Sequence, residues 1–195
     1  MEFVDCNVRY GIPAQRAPLM PAPTVEALRS EMKRAGVVGA VVRREEVHWE
    51  GVGIGNKEED LLVLSHTWGR SDKDGPDEAE KFLREYPGVT FIAGHSFHGE
   101  WERAADMAGE YPQLYLDLCA VMDDRGVLEL FVERAGSHKI LFGTDLPWFD
   151  PHYYIGAVLS ADISDDARRD IFYRNGVRVL SRFSWFGQVW GDERI

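Results

Sequence analysis

The sequence predicts an α/β fold in which parallel strands alternate with helices, and three observations support this prediction. Short apolar runs bounded by glycine, proline or polar residues recur along the chain, as expected of buried strands. Segments with apolar residues three and four positions apart lie between these runs, as expected of amphipathic helices. The two patterns alternate in units of roughly 25 to 30 residues, which is typical of a parallel sheet with right-handed crossovers and helices outside it.

The amino-terminal part of the chain predicts one strand–helix–strand unit. Residues 3–8 form an apolar strand, and residues 11–23 contain four prolines and predict a rigid loop. Thr24 is placed to cap a helix that ends at Gly36, and a second strand spans residues 37–42.

Residues 45–60 interrupt the alternation of strands and helices. Gly51, Gly53 and Gly55 lie in this segment, but no helix start follows them, so a phosphate-binding loop lacks its required context. We interpret the segment as an irregular connection and as the site of a deletion.

The alternation returns after residue 60 with four apolar runs. Asp123 or Asp124 is placed to cap the helix after the third run, and the last predicted helix ends at Asn175 and Gly176. The runs predict strands over residues 61–66, 89–95, 114–119 and from Ile140 onward.

The composition predicts a soluble protein with a substantial core. Of 195 residues, 45% are hydrophobic, and the formal net charge of −11 argues against nucleic-acid or membrane-surface binding. No basic signal-peptide start precedes an apolar segment, and no apolar run has the roughly 20 residues that span a bilayer, so we expect a cytoplasmic protein. Cys6 and Cys119 fall in predicted strands and are expected to be small core residues, with a disulfide or a catalytic thiol as the alternative.

Three predicted strands end in a residue that can bind a metal or transfer a proton. His66 and His95 each follow an apolar run, and Asp145 follows another through a Gly-Thr-Asp turn. Because ligands of parallel sheets bind at the carboxyl ends of the strands, these side chains are expected at one rim. The alternative is a structural role, as hydrogen-bonded core histidines and a turn aspartate.

These motifs resemble the amidohydrolase superfamily of TIM-barrel metal enzymes. The similarity is closest to the amidohydrolase-related branch that includes 2-amino-3-carboxymuconate-semialdehyde decarboxylase. It covers residues 61–180 well and residues 1–42 loosely. The segments that carry it are residues 63–68, 91–96, 114–117, 141–148 and 175–180.

The resemblance implies a TIM-barrel-like fold with zinc or another divalent metal at its mouth. It also implies a hydrolase or a non-oxidative decarboxylase that acts on a small carboxylated or cyclic substrate. By resemblance, His66, His95 and Asp145 are metal ligands, and His95 and Asp145 are catalytic, with His95 as the acid/base or a further ligand. Trp68 and Trp148 follow these residues closely in sequence and are expected to line the substrate pocket or to close its rim.

Asn7 and Arg9 depart from the family pattern because they stand where the family has a His-x-His pair. An amide oxygen is a poor zinc ligand, and a guanidinium repels a cation. We therefore expect both residues to contact substrate, with Asn7 as a weak fourth ligand at most. Arg9 would bind a substrate carboxylate or pair with Asp145 in place of the metal.

The chain is also shorter than a complete barrel, which takes about 250 residues, and it predicts only about six strands. We divide the single domain, residues 1–195, into four parts: a βαβ unit (1–44), the irregular connection (45–60), the carboxy-terminal βα units (61–180) and an aromatic tail (181–195). Because an open barrel leaves sheet edges to be covered, we expect a homo-oligomer. The aromatic tail is expected either to pack across the barrel floor or to form a subunit contact.

The sequence leaves three functions open. The first is the metal-dependent hydrolase or decarboxylase. The second is a metal-free relic that binds a small anion or a partner chain, which the residues at positions 7 and 9 favour. The third is a structural subunit that completes a longer relative.

Overall fold

A computed structural model describes residues 2–10, 25–44, 62–68, 74–121, 124–146 and 148–183, apart from the side chains of residues 9, 10, 25 and 41–44. Four predicted features lie outside the described residues. They are the proline-rich loop, the helix cap Thr24, the connection at 45–60 and residues 184–195 of the tail.

Within the described residues, six strands alternate with helices, as the sequence predicts. The strands are β1 (Phe3–Tyr10), β2 (Val37–Arg44), β3 (Leu62–His66), β4 (Thr90–Gly94), β5 (Leu114–Asp117) and β6 (Ile140–Leu141). The helices are α1 (Val25–Ala35), α2 (Pro76–Glu85), α3 (Trp101–Glu110), α4 (Val127–Arg134), α5 (Pro151–Ser160), α6 (Asp165–Arg169) and α7 (Asn175–Leu180), with a π-helical turn, Asp170–Arg174, between the last two.

All strand pairs are parallel, and the strands form two sheets that meet along β1 and β6. β1 pairs with β2, and the other four strands pair in the order β3-β4-β5-β6. The Cys6 N–H donates to the Phe142 carbonyl oxygen at 2.8 Å, and Val8 forms a parallel bridge with Leu146. Among the described residues the strand order is therefore β2-β1-β6-β5-β4-β3, and the two outer strands of this order flank residues 45–61 in sequence.

The inner strands carry the core, and β3 is less protected. All residues of β4 and β5 are buried, whereas every residue of β3 is half-buried. The apolar face of α3 is buried, including Ala104 and Ala105 at 0% exposure. No helix among the described residues is long and apolar enough to cross a membrane.

Two predicted helix boundaries are wrong, and side-chain hydrogen bonds explain the difference. Asp124 does not cap α4, since Gly126 occupies that position and the Asp124 carboxylate instead accepts a hydrogen bond from the Trp101 indole at 2.8 Å. The last helix continues through Asn175 to Leu180, because the buried Asn175 amide donates to the Ile140 carbonyl oxygen rather than ending the helix.

A third predicted end is also wrong. The strand predicted over residues 114–119 ends at Asp117, so Cys119 lies in the turn that follows. Both Cys119 and Cys6 are buried and free, as expected of core cysteines.

Candidate metal and active site

The predicted site residues His66 and His95 meet at the carboxyl ends of β3 and β4. Their ring centroids are 4.6 Å apart, and the rings are steeply inclined at 73°. His95 is buried, and its Nδ1 lies 3.2 Å from the Cys119 carbonyl oxygen. Because a carbonyl oxygen only accepts, Nδ1 carries a proton, and in the neutral form of the ring the lone pair would be on Nε2. This bond orients His95 to bind a metal or take a proton at Nε2.

His95 also begins an uncommon left-handed turn of the backbone. His95, Ser96 and Phe97 have φ angles of 71°, 50° and 56°, a region that costs about 1–2 kcal/mol per residue without glycine. Thr67 holds the turn at both ends: its hydroxyl donates to the Gly94 carbonyl oxygen at 2.8 Å and accepts from the Phe97 N–H at 3.0 Å. The direction of the His95 ring therefore depends on these two hydrogen bonds of Thr67, which follows the neighbouring strand β3.

Asp145 and Asn7 lie side by side where β1 meets the chain after β6. Asp145 is buried, with a left-handed φ of 56°, and its N–H donates to the Asn7 carbonyl oxygen at 2.7 Å. The Asn7 side chain is 1% exposed. Its Nδ2 donates to Asp117 Oδ2 at 2.9 Å, while its Oδ1 has no hydrogen-bond partner among the described residues.

Asp117, the last residue of β5, links these groups to His95. The oxygen that accepts from Asn7, Oδ2, also accepts from the His95 N–H at 3.2 Å. Gly143 lies against the other oxygen, since a Cβ at this glycine would be 1.7 Å from Asp117 Oδ1. Only glycine leaves room for the carboxylate at this position.

The side chains of His95, Asp117 and Cys119 together form a group that can hold a metal ion. All three are buried, and one ligand atom from each lies within 4.8 Å of the others. Nitrogen, oxygen and sulfur are the donors that zinc takes, and a tetrahedral zinc places its ligand atoms about 3.3–3.8 Å apart. Small side-chain adjustments would close this difference, so the residues present fit a divalent ion.

The Cys119 thiol is held in its protonated form when no cation is beside it. Burial raises the pKa of Cys119 well above its usual value, and the nearby carboxylates of Asp117 and Asp145 raise it further. The Tyr154 hydroxyl lies 4.0 Å from Sγ and accepts a hydrogen bond from the Ala120 N–H at 3.0 Å. Without a cation, this thiol is a poor nucleophile.

Asp5 ties β1 to the Gly-Thr-Asp turn. Its Oδ1 accepts from the backbone N–H groups of Asn7 and Thr144 at 3.0 and 3.1 Å, and Oδ2 accepts from the Thr144 hydroxyl at 2.5 Å. Burial raises the pKa of Asp5 to about 8, and Asp117 adds to this rise. The carboxyl group is therefore substantially protonated at neutral pH.

The predicted pocket residues occupy different surroundings. Trp68 is half-buried and packs against three histidines. Its ring centroid lies 5.9 Å from that of His66, 5.2 Å from that of His95 and 4.4 Å from that of His98, on which it stacks in parallel. Trp148 is half-buried, and its backbone N–H donates to the Asp145 carbonyl oxygen at 2.9 Å. The side chain of Arg9 lies outside the described residues.

Sequence reasoning missed Asp5, Asp117 and Cys119 as members of the site. Asp117 is a charged residue inside the apolar run of residues 114–121, and a charged residue at such a position is seldom buried unless it has a partner. Asp5 is a charged residue within an apolar strand. Because a charged residue is seldom buried there unless it has a partner, its position could have marked it as a candidate for a specific role. Cys119 offers no comparable signal, because a buried cysteine is an ordinary core residue.

Comparison with known proteins identifies the fold. The chain matches the sequence model of the amidohydrolase family over residues 1–182, while no curated protein matches it. An uncharacterized TIM-barrel protein from Bordetella bronchiseptica is similar in structure, with a TM-score of 0.65 and 16% identity over 93% of this chain and 99% of that chain.

Two further solved structures are similar. One is 2,6-dihydroxybenzoate decarboxylase complexed with 2,6-dihydroxybenzoate, with a TM-score of 0.64 and 13% identity over 91% of this chain and 98% of that chain. The other is an amidohydrolase from Burkholderia multivorans with bound zinc, with a TM-score of 0.61 and 11% identity over 91% and 98%. At such identities the likeness is one of fold, and it confirms a TIM-barrel-like architecture over most of the chain.

Proposed function

We propose a function for this chain on the premise that the chain belongs to the amidohydrolase family. We infer that it is a metal-dependent enzyme that decarboxylates a small carboxylated substrate without an oxidant, or hydrolyses a small cyclic one. Decarboxylation is the first reaction to test, because a similar fold is found in an enzyme that decarboxylates 2,6-dihydroxybenzoate.

The observation that carries this proposal is the oriented pair of histidines at the barrel mouth. His95 is buried against the ring of His66, and its Nδ1 bond to a carbonyl oxygen presents Nε2 as a ligand, a common arrangement for metal-binding histidines. We propose that His66, His95 and Asp145 hold the divalent ion, zinc in the first instance.

The roles of the protein groups follow from this assignment. A bound divalent ion would polarise a substrate carboxylate or carbonyl group, or lower the pKa of a water molecule. Asp145 would exchange the proton through its carboxyl group. In decarboxylation the bond to the carboxylate breaks, CO2 leaves, and the ring carbon takes the proton from Asp145. In hydrolysis the Asp145 carboxylate instead removes a proton from the attacking water.

Substrate binding is assigned to the flat and polar groups around the mouth. Trp68 and Trp148 would pack against the ring of the substrate. Arg9 would pair with a carboxylate, and the Asn7 amide oxygen would accept a hydrogen bond from a substrate hydroxyl or water. These roles predict that small aromatic acids bind better than their uncharged esters.

The metal content of the purified protein tests the proposal. Protein prepared without chelator or affinity-tag metal should contain close to one divalent ion per chain, and His66→Ala and Asp145→Ala should lose the ion together with any CO2 release from hydroxybenzoates. His152→Ala, at an exposed histidine, is the matched control and should keep both. Unchanged rates in His66→Ala or Asp145→Ala would contradict the site assignment.

A metal-free relic is the second candidate, and the bond between Asn7 and Asp117 favours it. The Asn7 amide donates to the Asp117 carboxylate at 2.9 Å, so a residue at a family ligand position serves here as a hydrogen-bond donor. If zinc added back to the protein does not bind, and benzoate still raises the melting temperature in wild type but not in Arg9→Met, the relic is the better description.

A further inference from the structure

We infer that Cys119 is a thiolate ligand of the divalent ion at the barrel mouth, together with His95 and Asp117. This inference deepens the proposed function and rests on it only in requiring that the chain binds a divalent ion. It adds a sulfur donor to a site otherwise composed of histidine and carboxylate groups.

The geometry of the three residues supports a shared ion. Their ligand atoms lie within 4.8 Å of one another in the buried turns that follow β4 and β5. The backbone carbonyl of Cys119 holds His95 through Nδ1 at 3.2 Å, so the residue that would supply sulfur also directs the histidine. Asp117 in turn accepts a hydrogen bond from the backbone N–H of His95 at 3.2 Å. Each ligand is positioned by another member of the group.

The Asn7 amide gives a second and independent observation. Its Oδ1 is buried without a hydrogen-bond partner among the described residues, although its Nδ2 donates to Asp117. The opposite amide orientation would place two oxygen atoms against each other, so this orientation is the favourable one. A buried acceptor without a partner costs about 1–3 kcal/mol, and an ion with its bound water beside Asp117 would satisfy it.

The donors lie beside β1, where Asn7 and Arg9 offer no strong zinc ligand. Asp117 contacts Asn7 directly, and Cys119 follows Asp117 by two residues. On binding, the thiol proton of Cys119 passes to solvent and the sulfur binds the ion.

A sulfur ligand has a distinct spectroscopic and chemical signature. Thiolate favours zinc, cobalt and cadmium over the hard ions magnesium and calcium. Titration of the metal-free full chain with Co2+ should give an intense near-ultraviolet absorption from thiolate-to-cobalt charge transfer. Cys119→Ser should lose this absorption and bind zinc at least about 100-fold more weakly, since loss of groups that merely orient ligands already costs about 10–100-fold.

Cys6→Ser is the matched control, because Cys6 is the other free, fully buried cysteine. It should keep the charge-transfer absorption and its zinc affinity. X-ray absorption at the zinc edge of the wild-type protein provides a measurement that needs no variant, and it should detect one sulfur at about 2.3 Å from zinc. This measurement decides the question even if Cys119→Ser fails to fold.

The possible outcomes separate this inference from the proposed function. One sulfur neighbour in wild type, with charge-transfer absorption lost only in Cys119→Ser, supports the inference. An ion with nitrogen and oxygen neighbours alone, lost in His66→Ala and Asp145→Ala, overturns the thiolate ligand but leaves the metal-dependent function standing. No bound divalent ion under any loading condition overturns both.

Discussion

Asp5 is the residue expected to give this protein an unusual dependence of stability on pH. Its folded-state pKa is about 8, against an ordinary value of 3.8, mainly because it is fully buried. Between these values the folded state binds more protons than the unfolded state, so this group makes the free energy of unfolding fall as pH rises. The slope from one such group is at most about 1.4 kcal/mol per pH unit.

Asp5→Asn should reduce this pH dependence, because the amide resembles the protonated carboxyl group and still accepts from the N–H groups of Asn7 and Thr144. Urea unfolding of wild type at pH 5, 6.5 and 8 should show a free energy of unfolding that declines with pH. The decline should be shallower in Asp5→Asn. Asp162→Asn, at an exposed carboxylate, should follow wild type, and parallel curves for all three proteins would contradict the assigned shift.

Thr67 is the residue through which the end of β3 controls the turn after β4. Its hydroxyl makes two of the hydrogen bonds that hold the left-handed turn at His95. Thr67→Val keeps the shape of the side chain but removes these bonds, and it should lower the free energy of unfolding by about 1–3 kcal/mol. Because the turn directs His95, zinc affinity should also fall, by about 10–100-fold.

Thr67→Ser separates the hydroxyl from the methyl group. It should restore zinc affinity to within a few-fold of wild type, as measured by competition with a chromogenic chelator, even if some stability is lost. Equal zinc affinity in the valine and serine variants would mean that the turn keeps His95 in place without the hydrogen bonds of the Thr67 hydroxyl.

The elements were predictable where the signal is local, and the site was predictable only in part. An apolar run that ends in His66 or His95 predicts both a strand and the position of the histidine at the carboxyl end of that strand. The bond between Asn7 and Asp117 joins residues 110 positions apart, and that between Asp5 and Thr144 joins residues 139 positions apart. No local pattern encodes such pairs.

Local preference also argues against the turn at His95, since three consecutive non-glycine residues adopt positive φ angles there. Bonds from Thr67 and Asp117, on two other strands, hold it. The sequence could therefore indicate His95 as a candidate site residue, but it could not predict the direction of its ring. The helix cap assigned to Asp124 was wrong for a similar reason, because a distant Trp101 takes its carboxylate.

At the scale of the whole molecule, the outer strand β3 is expected to pair across subunits. All its residues, including Leu62 and Leu64, are half-buried, whereas the next strand is fully buried. An apolar outer strand of this kind favours association. Light scattering at tens of micromolar protein should give a mass that is a multiple of the chain mass.

A charge on β3 should oppose this association. Leu62→Lys should shift the mass towards that of a single chain, whereas Leu159→Lys, on the exposed side of α5, should not. A wild-type protein that is monomeric across this concentration range would contradict the predicted homo-oligomer.

A divalent ion at the mouth should stabilise the sheet formed by β3, β4, β5 and β6, because each of these strands leads to a candidate ligand. His66 ends β3, His95 follows β4, Asp117 and Cys119 end and follow β5, and Asp145 follows β6, so unfolding of any of these strands would break the site. Free zinc at about 100 times its dissociation constant should add about 2.7 kcal/mol to the free energy of unfolding. The urea midpoint should therefore rise with zinc and fall with chelator. Magnesium should have a much smaller effect if nitrogen and sulfur donors dominate. A urea midpoint that is the same with zinc and with chelator would mean that these strand ends do not share an ion, whatever their proximity.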